Sequence, residues 1–126
     1  MGQLNTVRYN RQYLQTSDGS PQTIATIPTQ SNKAYYVALT VVALRTDFTQ
    51  GAAYTRSAAF RNNAGTVSQV GTTASGSTME DDSTWDVTFT TSGTNILVQV
   101  TGNPGKIINW EADAMVYQVG VEPFDT

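Results

Sequence analysis

Ionisable side chains crowd together at one place in this sequence, the run Glu80-Asp81-Asp82 with Asp86 nearby. Carboxylates at such density can supply the oxygen ligands that Ca²⁺ takes. The run lacks the regular alternation of Asp with a turn glycine found in calcium loops, so no metal is assigned to it. A solvated loop, or ion pairs to Arg56 or Arg45, is the reading preferred here. A glycosidase needs two carboxylates at a set separation across a cleft, and nothing in the spacing defines such a pair. The chain has no His and no Cys, which removes Ser/His/Asp relays, thiolate chemistry and the commonest general base. No glycine-rich phosphate loop precedes a helix. The expectation is therefore no catalytic residue, no cofactor and no enzymatic activity.

One charge stands out by position. In Ala52, Tyr54, Arg56, Ala58 and Phe60 an arginine occupies the middle of an apolar face. It either snorkels at a sheet edge or is buried, where an unpaired cation is too costly and an acidic partner is required. Asp86 is the first candidate for that structural ion pair and Glu80 the second. The aromatics Tyr35, Tyr36, Tyr54, Trp85, Trp110 and Tyr117 could form a sugar-stacking platform. Trp85 and Trp110, however, lie in register with Val, Phe and Ala, as core anchors do. Phe60, Val37 and Leu39 join them as expected core, while Tyr36 and Tyr117 remain as possible surface aromatics.

These residues have to be positioned by strands. Across Lys33–Asp47 (KAYYVALTVVALRTD) both alternating sets of side chains are largely apolar, and β-branched or aromatic types dominate. Such a strand is covered on both faces, by a second sheet or by a neighbouring subunit. Before it, 1–16 reads as a polar N-terminal arm leading into a first strand. The turn Ser17-Asp18-Gly19-Ser20-Pro21 follows, and then a short strand that Pro28 confines to an edge or an end. After it, strands are expected at Ala52–Arg61, Thr66–Gly71, Thr84–Thr91, Asn95–Thr101 and Lys106–Val119, with Thr72–Thr78 as a small-residue loop. Turns at Asn62-Asn63-Ala64-Gly65, Ser92-Gly93-Thr94 and Gly102-Asn103-Pro104-Gly105 separate them. The count is about eight or nine strands with no helical period. The fold class is all-β, a single antiparallel, jelly-roll-like β-sandwich at 17–120 with an extended arm and a short acidic tail at 121–126.

The 126 residues suit one domain, large enough for a core without metal or disulfide support. A formal net charge of -3, with 7 Lys and Arg dispersed along the chain, argues against nucleic acid as a partner. No apolar run is long enough to span a bilayer, and no signal peptide opens the chain. Charged residues are only 13%, while neutral polar types abound. That balance is usual for fibres, shells and secreted β modules.

Three blocks carry a resemblance: ALRTDFTQGAAYTRSAAFR at Ala43–Arg61, MEDDSTWDVTF at Met79–Phe89 and ILVQVTGNPGKIINWEA at Ile96–Ala112. Together they resemble a β-sandwich domain that recurs in virion proteins of tailed bacteriophages, in tail fibres and small capsid-surface proteins. The shared pattern is an RTD turn, an AAY-x-R strand, a W-D strand and V-x-V-x-G-x-x-G-K-x-I-x-W, over roughly residues 20 to 119. It consists of turn and core positions, so it implies structural roles for Arg56 and Asp86 and no catalysis. The usual RRTDG departs here to Leu44-Arg45-Thr46-Asp47-Phe48, which implies a differently shaped loop. A chain running from Met1 to Thr126 suits a free-standing capsid decoration (cement) protein on the virion surface, made in the bacterial host cytoplasm. Its expected partners are the major capsid protein or other virion proteins and two further copies in a homotrimer, with no membrane. The alternative is a tail-fibre or head-fibre module that binds a receptor or glycan.

Overall fold

The computed structural model describes residues 4–120, with side chains from residue 6. Eight strands run in order: β1 Leu4–Thr16, β2 Gln22–Pro28, β3 Lys33–Arg45, β4 Gly51–Asn63, β5 Thr66–Glu80, β6 Asp86–Ser92, β7 Asn95–Thr101 and β8 Ile108–Gly120. They form a five-stranded sheet ordered β1-β8-β3-β4-β5 and a three-stranded sheet ordered β2-β7-β6, antiparallel throughout. The fold is all-β and sandwich-like. Winding β1 against β8 in one sheet and β2 against β7 in the other is the jelly-roll element of the topology, and the β4–β5 hairpin extends the larger sheet. The expected tail at 121–126 lies outside the described residues.

Strand β3 is the middle of the five, as befits its composition. Its odd-numbered side chains Tyr35, Val37, Leu39, Val41 and Ala43 are all buried. They meet Ile96, Val98 and Val100 of β7 in one core cluster. Each large side chain removed from water there is worth about 1.5–3 kcal/mol. Trp110 is fully buried, 5.8 Å from the Trp85 ring and 6.4 Å from Tyr54, with its indole N–H donated to Thr16 Oγ1 at 2.9 Å. Phe60 is buried beside Phe89 with an edge-on approach of 5.8 Å. The core anchors named from the sequence, Trp85, Trp110, Phe60, Val37 and Leu39, are thus all placed inside.

The structure bears on three expectations, and one of them, the Thr72–Thr78 loop, is corrected. The segment 1–16, read as a polar arm leading into a first strand, is strand from Leu4 onward: β1 pairs with β8 from Leu4↔Val119 to Thr16↔Ile108. A strand held by main-chain hydrogen bonds needs few apolar side chains, so polarity was a poor guide to its placement. The segment Thr72–Thr78, read as a loop, continues β5 along β4. Register shifts opposite Thr55–Arg56 and Ser57–Ala59 absorb the extra residues as bulges. At Gly76 an added Cβ would fall 2.5 Å from Thr55 Oγ1, which accepts the Ser77 N–H; the small residues there permit close approach. Finally, within the chain the second sheet covers one face of β3, and Tyr36, Val42 and Leu44 on its other face are exposed, so of the two covers expected only the sheet is present in the chain itself.

Candidate functional site

The outer face of the five-stranded sheet concentrates what the chain leaves open to a partner. Of the ten large hydrophobics exposed among the described residues, seven lie on it: Tyr13, Tyr36, Val42, Leu44, Val70, Met79 and Val119. Cross-strand register explains the grouping. Tyr36 stands opposite Tyr117 and Ala59, Ala59 opposite Val70, and Ala34 opposite Val119. These residues line an apolar groove of about 290 Å³ at one end of the sheet. Tyr36 is 46% exposed, Tyr117 is half-buried, and their rings are 6.0 Å apart. At the other end Val42 pairs with Glu111 and Ala53, next to Tyr13 and Met79.

A polar belt divides the two apolar areas. In β1, Asn10 and Arg11 together oppose Asp113, a bulge that puts Arg11 at φ 57. Arg8 donates from Nε and a terminal nitrogen to the two Asp113 oxygens at 3.0 and 2.8 Å, and Arg11 Nε lies 3.5 Å from Glu111. These groups surround a depression of about 380 Å³ floored by Thr40 and Val42. Both carboxylates point to one face because they are two apart on β8. Each is bridged by an arginine, so neither is presented as a bare acid or base.

Arg56 is placed differently from expectation. It is buried, yet among the described residues it makes no salt bridge with Asp86 or Glu80. Its guanidinium donates to the carbonyls of Thr55 and Ser77 at 3.0 and 2.8 Å and lies 5.1 Å from the centroid of the Tyr54 ring. The β4–β5 bulge opens the Ser77 carbonyl toward it, and carbonyl dipoles with a π face replace the carboxylate. Glu80 instead accepts the Tyr54 hydroxyl at 2.6 Å. Burial, with Glu80 next, pushes the Tyr54 phenol upward from its ordinary value. Asp86 accepts the adjacent Val87 N–H.

The acidic run disperses to separate structural partners. Asp81 accepts the Gly51 N–H at 2.8 Å, and Asp82 accepts Lys106 Nζ at 2.7 Å and both donors of Thr84. Those contacts, Lys106 first, hold the Asp82 carboxyl at about 2. Lys106, rather than the anticipated Arg45 or Arg56, is therefore the basic partner of the run; Arg45 pairs with Asp47 at 3.3 Å. Asn103 ties the same end together, accepting the Trp85 indole N–H and donating to Thr84.

The β3–β4 loop carries one feature that the sequence reading touched only as a departure from RRTDG. Phe48 has φ 65 and is 80% exposed. A left-handed conformation costs a bulky L residue about 1–2 kcal/mol, and glycine would avoid that cost. The salt bridges joining Arg8 to Asp113 and Lys106 to Asp82 had no local signal, since their members lie far apart along the chain.

No protein-family model matches the chain, and no curated protein matches it. Among solved structures the chain is similar to part of tailspike protein gp49 from the Acinetobacter baumannii bacteriophage Fri1, a capsular polysaccharide depolymerase. That likeness has 12% identity and a TM-score of 0.54, over 97% of this chain and 18% of the tailspike. The tailspike protein of Acinetobacter baumannii phage AM24 is similar over 100% of this chain and 27% of its own, with 11% identity and a TM-score of 0.50. The chain thus spans about a fifth to a quarter of these tailspikes. At such identity the likeness concerns the fold.

Proposed function

We propose that this chain is a non-enzymatic β-sandwich module of a phage virion, belonging to the tail, and that it works by holding another surface against the outer face of its five-stranded sheet. The observation that carries this reading is the fold shared with a portion of two phage tailspikes across nearly the whole chain. The depolymerase activity named for one of them belongs to that whole protein. Here the outer-face carboxylates are each bridged by an arginine, an arrangement suited to structure more than to proton transfer. The likeness to tailspikes, rather than to a capsid protein, favours a fibre-type module of the tail over capsid cement. The breadth of exposed apolar surface favours self-assembly, with a homotrimer as the form expected, because large apolar patches usually mark interfaces.

Particle localisation tests this. Immunogold labelling of purified phage, with the copy number per particle measured by quantitative mass spectrometry, should place the chain at the tail in copies that scale with the fibres. Label spread over the head, with copies scaling with the capsid, would replace the tail reading by the cement reading. A particle lacking the chain altogether would remove both.

A further inference from the structure

We propose that copies of this chain dock head to tail, the Phe48 ring of one copy entering the apolar groove between Tyr36, Tyr117, Val70 and Val119 of the next. The inference deepens the assembly part of the reading above, and its test is made on the purified chain, so the two can fail separately.

The knob is an aromatic ring held away from its own domain. Phe48 is 80% exposed at a left-handed position where glycine fits best. A sequence that keeps a bulky ring at such a site, against its backbone preference, points to a use for the ring. The loop beneath it is braced. Arg45 N–H donates to the Gln50 carbonyl at 2.9 Å, Phe48 N–H to the Arg45 carbonyl at 2.8 Å, and Thr46 N–H to the Ile107 carbonyl at 2.9 Å. Asp47 Oδ1 accepts both donors of Thr49, and Lys106 reaches Gln50 at 2.8 Å. A ring on a preorganised tip loses little freedom on docking, which is what makes rigid aromatic anchors effective.

The chemistry around Phe48 selects a protein rather than a sugar. Polar groups that could converge on a glycan, those of Arg45, Asp47 and Thr49, are already bonded to one another or to Gln50. The exposed neighbour across the Thr46 hydrogen bond is Ile107, which is apolar. A matching receptor exists on the chain itself. The groove of about 290 Å³ is walled by Ala34, Ala59, Val70, Val119 and the rings of Tyr36 and Tyr117, with the tyrosine hydroxyls and the Gln118 amide as its polar groups, so a phenyl ring would cover mainly apolar surface there.

Knob and groove sit at opposite ends of the sheet. The groove lies by the start of β3, where Ala34 and Tyr36 are, and Phe48 follows the strand's last residue, Arg45. A contact between such unlike patches is heterologous, and repeats into a ring if the rotation closes or into a filament if it does not. One contact of this kind would cover both the exposed ring and the groove.

Light scattering on the full chain across micromolar concentrations, with Phe48→Gly and Val70→Lys, decides the matter. The wild type should give a mass above the monomer, and each variant alone should fall to the monomer mass. Phe48→Gly should not lower the melting temperature, since it relieves the backbone, and Val70 is half-exposed on an edge strand, so both variants remain folded. Mixing the two variants should restore a dimer, because Phe48 of one meets the intact groove of the other. A monomeric wild type, an oligomer that survives either variant, or a mixture that stays monomeric would each overturn the proposal.

Discussion

Trimming Trp110 to alanine probes the core that holds the outer face in shape. The residue is fully buried between Trp85 and Tyr54. A buried tryptophan removes up to about 250 Å² from water, and truncation forfeits roughly 200 Å² of it, or about 5 kcal/mol at about 25 cal/mol per Å². The denatured chain already hides some of that surface, which brings the figure to about 3–4.5 kcal/mol. Losing the indole donor to Thr16 adds about 1 kcal/mol. The expected cost is therefore about 4–5.5 kcal/mol, around the upper end of the range for emptied aromatic sites. Urea melts followed by far-UV circular dichroism provide the assay, because the substitution removes a fluorophore. With a slope near ~2 kcal/mol/M the midpoint should fall by about 2 M. Trp110→Phe keeps a ring in the stack and loses the hydrogen bond, so its cost should be about 1–2 kcal/mol. A loss below about 1 kcal/mol for the alanine variant, with the slope unchanged, would refute the reasoning, because no fully buried stacked indole is removed so cheaply.

Two further outcomes follow from the charges. Arg56→Met should cost less than about 1.5 kcal/mol, because the lost contacts to two carbonyls and the Tyr54 ring are offset by no longer burying a cation. Its double-mutant cycle with Asp86→Asn in urea should give a coupling below about 0.5 kcal/mol, and a coupling of several times that would restore the direct ion pair. Lys106→Met should open a stability gap to the wild type that narrows in acid. The Asp82 carboxyl is depressed to about 2 from 3.8, so its contribution is whole above the ordinary value and disappears as pH falls through about 2. Urea melts of both proteins at neutral pH and at about pH 2 check the sign, and a gap that stays constant would show that Asp82 is not the group concerned.

What the sequence determined by itself was the part of the structure encoded by short-range pattern. Alternation in Lys33–Asp47, Asn95–Thr101 and Lys106–Val119 located β3, β7 and β8 and put Trp110 and Val37 inside, because period two assigns every side chain to a face once a strand exists. Glycine and proline at the turns bounded the same strands. What depended on the tertiary structure was whatever hangs on a neighbour distant along the chain. β1 and the second half of β5 carry weak patterns of their own and are strands because β8 and β4 offer a ladder. Arg56 was singled out, but the carboxylates named for it, Asp86 first and Glu80 second, are not the groups it bonds: bulge geometry opens a carbonyl toward it, and bulges follow from pairing register rather than from local composition. The acidic run was legible as a cluster, whereas its dispersal to Gly51, Tyr54 and Lys106 was decided by three loops meeting at one end of the sandwich. Even the apolar second face of β3 could be seen in the sequence without revealing its cover. Alternation states that a face is apolar, and only the position of the other sheet shows which face remains bare.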